Sequence, residues 1–286
     1  MIIIDLSQVL HATLGVMMNS SRSSVNTTTL DSGMFTHITL NTIRAAKMKH
    51  LSEGEVVIAV DSSSWRKAFF PYYKFRRSTN RAASTVNWPS IFEMMDSVVV
   101  DLRTHFPYRV VKTHRAEADD IVGTLTERFG RDVGGERIVI ISGDKDFRQL
   151  QKWSNVTQYD ILQKKTVRET QPDQYLLDHI LAGDSSDGIP NVLSDDDTFV
   201  SPEKRNTPLT KKKKAELFSR YENGELQKTA NWIRNETLVD LSKTPNEIKD
   251  AIIAEYDSQA GKGRSKMFNY FVSKRLPTLL ECIHDF

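Results

Sequence analysis

Three short aliphatic runs, at residues 2–4, 56–60 and 138–141, each lead into an acidic residue within a few positions. None alternates with polar residues, as expected of strands buried on both faces of a parallel sheet. A fourth run lies at 108–111, and stretches with helical spacing fall between the runs, at 35–50 and 118–129. This alternation predicts an α/β domain over about residues 1–175, with a mostly parallel central sheet flanked by helices. A polar segment at 19–33, rich in Ser, Thr and Asn, reads as a loop.

The positions of the acids carry the functional signal. Asp5 and Asp61 directly follow the first two runs, and Asp144 and Asp146 follow the third in Ser-Gly-Asp-Lys-Asp-Phe. Ligands of open α/β sheets bind beyond the carboxyl ends of the strands, so these four acids are expected at one edge. Glu117, Asp119 and Asp120 open a helix just after the fourth run. Taken singly, each acid has a plainer use as a cap, a loop residue or a complement to a helix N-terminus. Crowded together they repel one another, which raises their pKa values or demands compensation. Divalent cations supply it. The candidate ligands are almost all oxygens, which suits two Mg²⁺ ions, with Mn²⁺ as a substitute, better than zinc. A Gly-Asp-Ser-Ser-Asp-Gly turn adds Asp184 and Asp187, three residues apart, although Gly, Asp and Pro also make ordinary turns.

From 62 to 92 the chain has no acidic residue. Arg66, Lys67, Lys74, Arg76, Arg77 and Arg81 are interleaved there with aromatics including Tyr73. Cations neutralise phosphates and aromatic faces stack on unpaired bases, so the stretch is expected to contact nucleic acid. Its plainer use is an amphipathic helix with a solvated cationic face. Beyond residue 175 the chain reads as helices, at 174–182, 211–221, 230–238, 245–256 and 265–282, interrupted by a polar, mobile loop at 193–210. Lys211, Lys212, Lys213 and Lys214, and the cluster Lys262, Arg264 and Lys266, are further candidate phosphate contacts or solvated faces.

The net charge is only +2, so the segregation of acids from bases says more than their sum. Cys282 is the only cysteine, which excludes an intrachain disulfide and a Cys-rich zinc centre and fits a reducing, cytoplasmic compartment. No apolar run approaches the roughly 20 residues of a membrane helix, so no membrane partner is expected.

The motifs Ile4-Asp5, Val60-Asp61, Glu117-Ala118-Asp119-Asp120, Ser142 to Phe147 and Gly183 to Asp187, in this order, resemble those of the structure-specific 5′ nuclease family. That family includes flap endonucleases, 5′-exonuclease domains of bacterial DNA polymerases and phage-encoded RNase H. The resemblance runs from residue 2 to the C-terminus, with a poor patch at 193–210. It implies a PIN-like nuclease domain, with an arch insertion at about 62–95, and an all-helical DNA-binding domain at 176–286. It implies two-metal hydrolysis of forked, flapped or nicked DNA and of RNA–DNA hybrids, and removal of RNA primers from lagging-strand fragments. Asp5, Asp61, Glu117, Asp119 and Asp144 match acids around one metal, and Asp146, Asp184 and Asp187 those around the second; Asp120 matches the phage pattern. Lys74 and Arg76 match the basic pair at the arch base.

The resemblance further implies a monomer acting in the infected bacterial cytoplasm, with a sliding clamp and a single-strand-binding protein as partners. No docking extension is expected before the first strand. No Gly-x-Gly follows Pro190, so the potassium-binding hairpin of most relatives is not expected. Two alternatives remain: a PIN-type ribonuclease, disfavoured by the basic insert and the helical second domain, and a catalytically silent branch-binding protein, disfavoured by intact acids at every matched position.

Overall fold

The computed structural model describes residues 1–21, 30–50 and 54–286, with side chains of 19–21 left aside. The segment expected to be a loop at 19–33 lies partly outside these residues. Of the described part, Ser21 ends one helix and Ser32 begins the next.

Strands β1 (Ile2–Asp5), β2 (Val56–Ala59), β3 (Arg109–Val111), β4 (Ile138–Ile141), β5 (Val156–Asp160) and β6 (Lys165–Val167) form one sheet in the order β3-β2-β1-β4-β5-β6. The first five are parallel, and β6 closes the edge antiparallel to β5. The sequence pattern did not predict β5 and β6, because Val156–Asp160 is half polar and Lys165–Val167 is short. β1, β2 and β4 are buried at every position. Burial of each such aliphatic side chain stabilises by about 1.5–3 kcal/mol. Crossovers run one way from β1 to β3 and the other way after β4. A crevice therefore opens beyond the ends of β1 and β4.

Helices α1 (Leu6–Ser21), α2 (Ser32–Lys49), α3 (Arg66–Phe69), α4 (Phe75–Ala82), α5 (Trp88–His105), α6 (Ala118–Phe129) and α7 (Pro172–Ala182) lead through the first part of the chain. α8 (Lys211–Glu222), α9 (Ala230–Val239), α10 (Asn246–Ser258), α11 (Met267–Ser273) and α12 (Pro277–Glu281) complete it. The helix expected at 265–282 is broken in two, since Pro277 cannot continue α11.

Three hydrophobic clusters organise these elements. One joins one sheet face to α1, α2, α5, α11 and α12, and a second joins the other face to α6 and α10. The third links Phe70 and Tyr73 to α7, α8 and α9. Residues 176–286 therefore do not share one core of their own: α7–α9 gather beside the arch base, while α10–α12 return to the sheet. No helix among the described residues is long and apolar enough to cross a membrane.

The loop expected to be mobile at 193–210 is tied down. Buried Arg234 donates to the carbonyls of Pro190, Asn191 and Ser194 and to Asp196. Lys204 bridges Asp195 and Asp197, and Asn191 and Ser194 hold Thr207. The turn before it is equally constrained. Gly183 has φ +67, and a Cβ there would lie 2.4 Å from the Ile189 carbonyl oxygen. Gly183→Ala should therefore destabilise the protein by about 1–3 kcal/mol, the cost of backbone strain plus a clash; denaturant unfolding reads this directly.

Candidate active site

The parallel register delivers the acids to one place. Ile4 pairs with Ile58 and Ile141, so Asp5 and Ser142 emerge side by side, and Ser142 Oγ donates to Asp5 Oδ2 at 3.0 Å. Asp61 follows β2, accepting from the Ala118 amide at 2.7 Å and from Ser7 Oγ. This ties the end of β2 to the N-termini of both α6 and α1. Asp144 accepts from the Asp146 amide at 2.9 Å and caps the 3₁₀ helix Lys145–Lys152. Asp184 and Asp187 arrive from the turn after α7, closed by a bridge between Asp184 and Ile189.

A cavity of about 270 Å³ is lined by Asp5, Asp61, Asp119, Asp144, Asp146, Asp184 and Asp187, with Ser7, Gln8, His11, Lys74, Arg77, Lys145 and Ser186. Seven of the nine expected ligands therefore converge. Ser7, Gln8, His11 and Lys145 were not singled out in the sequence, since nothing in a helical sequence marks which residues face a crevice. Gln8 accepts from the Gly143 amide at 2.7 Å, and buried Gln158 donates to the carbonyls of Ser142 and Asp144, so both shape the Asp144 turn.

The other two expected ligands are absent from the lining. Asp120 is fully buried and engaged on both oxygens: by Arg66 Nη1 at 2.9 Å, Trp65 Nε1 at 3.1 Å, Thr244 Oγ1 at 2.8 Å and the Glu117 amide at 2.8 Å. This ties Asp120 into the fold, outside the lining of the cavity. Glu117 gives Oε1 to Lys74 at 2.6 Å and Oε2 to Ser64, Arg66 and Tyr73. Direct ligation by Glu117 would break these contacts.

The basic stretch divides similarly. Arg66 is 2% exposed and also donates to the Leu238 carbonyl, and Tyr73 is buried with its hydroxyl on Glu117 and Asp187. Neither is available to nucleic acid. Lys67, Arg76, Arg77 and Arg81 are exposed, as are Phe69, Tyr72 and Phe75. Arg76 donates to the Phe199 carbonyl at 3.2 Å, joining the arch base to the tied loop. Lys74 has a left-handed backbone (φ 56), and its amide donates to the Asp187 carbonyl at 2.7 Å. Gly188 makes this approach possible: a Cβ there would stand 3.0 Å from the Tyr72 carbonyl oxygen.

Lys211 and Lys212 are exposed, whereas Lys213 pairs with Glu216 and Lys214 with Asp178. Such exposed pairs contribute about 0–1 kcal/mol and exchange readily for phosphate. Lys262 donates to Gln259 and to the carbonyls of Arg103 and Tyr108. Tyr108 precedes β3, so Lys262, Arg264 and Lys266 lie by the amino ends of the strands. That edge is opposite the acids, so this cluster, expected as a phosphate contact, lies away from the acidic cavity.

Electrostatics separates two populations of acids. Burial would raise Glu117, but Lys74 and Arg66 carry its pKa down to about 2. Asp184 is also held below the ordinary range, since contacts from His179, Lys145 and Ser186 outweigh its burial. Asp5 rises to about 7 through burial and repulsion by Asp61, and Asp146 to about 7 through burial, offset in part by His179 and reinforced by Asp144 and Asp184. Asp119 rises well above its ordinary value through burial and Asp144. Hard oxygen donors with uncompensated repulsion fit divalent cations.

The family description "5′-3′ exonuclease, N-terminal resolvase-like domain" matches residues 1–176, and "T4 RNase H, C terminal" matches residues 171–286. The chain belongs to the 5′-3′ exonuclease family. It is therefore a nuclease, a phosphodiesterase. It is 31% identical over 266 residues to ribonuclease H of Enterobacteria phage T4, covering 88% of this chain and 87% of that one. It is 32% identical over 144 residues to flap endonuclease Xni of Shewanella woodyi, covering 46% and 51%. Its fold matches a phage T5 protein co-crystallised with metal ions at a TM-score of 0.59 and 17% identity, over 91% of this chain and 98% of that one.

Two outcomes follow from this electrostatic division. An acid whose pKa is raised on folding favours the folded state while protonated and opposes it once ionised. Stability of the metal-free nuclease should thus fall from about pH 5 to about pH 7, where the folded state still holds protons on Asp5 and Asp146 that the unfolded chain has lost, and divalent cation should restore it at the higher pH. Glu117 is ionised throughout that window and does not contribute to the slope. Thermal unfolding in EDTA at both pH values checks the sign. Arg66→Ala should cost about 3–5 kcal/mol by leaving Asp120 buried and unpaired, measurable by denaturant unfolding.

Proposed function

We propose that the nuclease hydrolyses phosphodiesters with two Mg²⁺ ions, replaceable by Mn²⁺, releasing short products 5′ to 3′ from forked, flapped or nicked DNA and RNA–DNA hybrids. Its role is removal of RNA primers from lagging-strand fragments in the infected bacterial cytoplasm, with a sliding clamp and a single-strand-binding protein as partners. The observation that carries this reading is the convergence of seven aspartates on one cavity beneath an exposed cationic and aromatic arch. The resemblance to flap endonucleases, one solved from phage T5 in a complex with DNA and metal ions, supports the choice of substrate.

Asp5, Asp61, Asp119 and Asp144 would hold one ion, and Asp146, Asp184 and Asp187 the other. Bound ions supply a hydroxide at neutral pH and neutralise charge on the transition state. The chain supplies positioning. Lys74, held by Glu117 Oε1 at 2.6 Å and 3.6 Å from Asp187, extends into the same cavity and can meet charge developing on the phosphoryl oxygens. Its pKa is raised: burial opposes the charge, but Asp187 and Glu117 outweigh it, so the ammonium persists at neutral pH. Lys67, Arg76 and Arg81 can take backbone phosphates, and Phe69, Tyr72 and Phe75 can stack on unpaired bases.

Asp144→Asn should abolish cleavage of a 5′-labelled flap while preserving fork binding in EDTA, because the change removes an ion ligand and no phosphate contact. Cleavage at the wild-type rate would remove Asp144 from the site. If the wild type leaves both a flap and a nicked hybrid uncut with Mn²⁺ present, the whole reading fails. Lys74→Ala should slow single-turnover cleavage about 10²–10³-fold, the usual scale for losing one transition-state donor, with a smaller change in binding.

A further inference from the structure

One polar side chain beside the second group of acids is an imidazole. His179 lies in the last turn of α7, five residues before Asp184, and is 93% buried, being 7% exposed. Among the described residues neither of its ring nitrogens finds a well-formed hydrogen bond, and the same is true of Asp146 Oδ1. Nδ1 stands 3.4 Å from Asp146 Oδ1, and Nε2 stands 3.5 Å from Asp184 Oδ2. The imidazole thus faces Asp146 through one nitrogen and Asp184 through the other, each at a distance longer than the about 2.7–2.9 Å of a closed charge-assisted hydrogen bond. One donor atom from each of Asp146, His179 and Asp184 lies within 4.8 Å of the other two. Donors about 2.0–2.2 Å from a shared cation, as in transition-metal sites, are themselves about 3–4 Å apart.

The surroundings hold these donors in place. Asp184 Oδ1 accepts from the Ser186 amide at 2.9 Å and Ser186 Oγ at 2.6 Å, so Oδ2 is the oxygen turned to His179 and Lys145. Lys145 covers Oδ2 at 2.8 Å, but its side chain is 46% exposed and can swing into solvent. The Tyr175 ring packs edge-on against the imidazole with centroids 6.0 Å apart, restricting its rotation.

We propose that His179 supplies a nitrogen ligand to the ion held by Asp146 and Asp184, biasing this position toward Mn²⁺ and other transition ions over Mg²⁺. Imidazole suits first-row transition metals, whereas Mg²⁺ selects oxygen donors and water. The inference rests on the two-ion reading of the acidic cavity.

Pulsed EPR of the DNA-free protein loaded with Mn²⁺ reads nitrogen coupling directly. The expected result is ¹⁴N coupling in the wild type, replaced by ¹⁵N coupling on labelling with ¹⁵N-histidine. That readout needs no variant to fold. The coupling should persist in His11→Gln, whose ring lines the same cavity, and vanish in His179→Gln. Calorimetry should show the weaker Mn²⁺ binding event of His179→Gln loosened by about tenfold or more, the scale of losing metal-site support, with Mg²⁺ binding much less affected. Binding of two ions without nitrogen coupling in the wild type, or coupling that survives in His179→Gln, overturns the inference and leaves the nuclease mechanism standing. Failure to bind any divalent ion overturns both.

Discussion

Repulsion among carboxylates at the carboxyl edge of the sheet is the constraint around which this molecule is arranged. The strand order forces it. With β1 and β4 adjacent and parallel, Asp5 and the Asp144 turn cannot avoid each other, and α6 and the turn after α7 bring further acids. The fold answers with two different kinds of compensation. Glu117 and Asp120 receive protein cations from the arch base, Arg66 and Lys74, whereas Asp187 meets Lys74 and Arg77 but still rises in pKa through burial and lines the cavity. Asp5, Asp119 and Asp146 receive far less, and their pKa values rise. The first group holds the architecture together, and the second carries the uncompensated charge that suits cations from solution.

The arch base is consequently structural as well as functional. Arg66 connects α3 to α6 through Asp120 and to α9 through the Leu238 carbonyl, while Trp65 and Thr244 share the same carboxylate. The buried Phe70 and Tyr73 pack with α7–α9. The exposed residues of the same stretch are thereby carried on a fixed foundation, from which Lys74 and Arg77 reach the lining of the acidic cavity. One face of a short segment serves the core and the other meets solvent, which is the amphipathic arrangement of a short helix pair.

The α7–α9 cluster also governs the second group of acids. Asn235 donates to the Ile180 and Pro190 carbonyls and Arg234 to those of Pro190 and Asn191, so α9 clamps the turn that carries Asp184 and Asp187. Asp144 and Asp146, by contrast, are positioned by the turn and 3₁₀ helix that follow β4.

Strand-end placement of Asp5, Asp61, Asp144 and Asp146 was legible from the sequence, because an unalternating aliphatic run specifies a buried strand and the chain direction specifies its end. The helical periodicity of α6 and its acidic first turn were legible for the same local reason. Local pattern could not tell Asp119, which faces the cavity, from its neighbour Asp120, which faces Arg66. That difference is one helical step, about 100° of rotation, read only once α6 is docked on the sheet. Nor could it separate exposed Lys67 from buried Arg66, place Lys262 at the far edge, or bring His179 between Asp146 and Asp184. The sequence determined which residue types were available and which strands would be buried. Docking of helices from distant parts of the chain decided which charges pair within the protein and which remain for ions and nucleic acid, because burial and charge pairing depend on partners up to a hundred or more residues away.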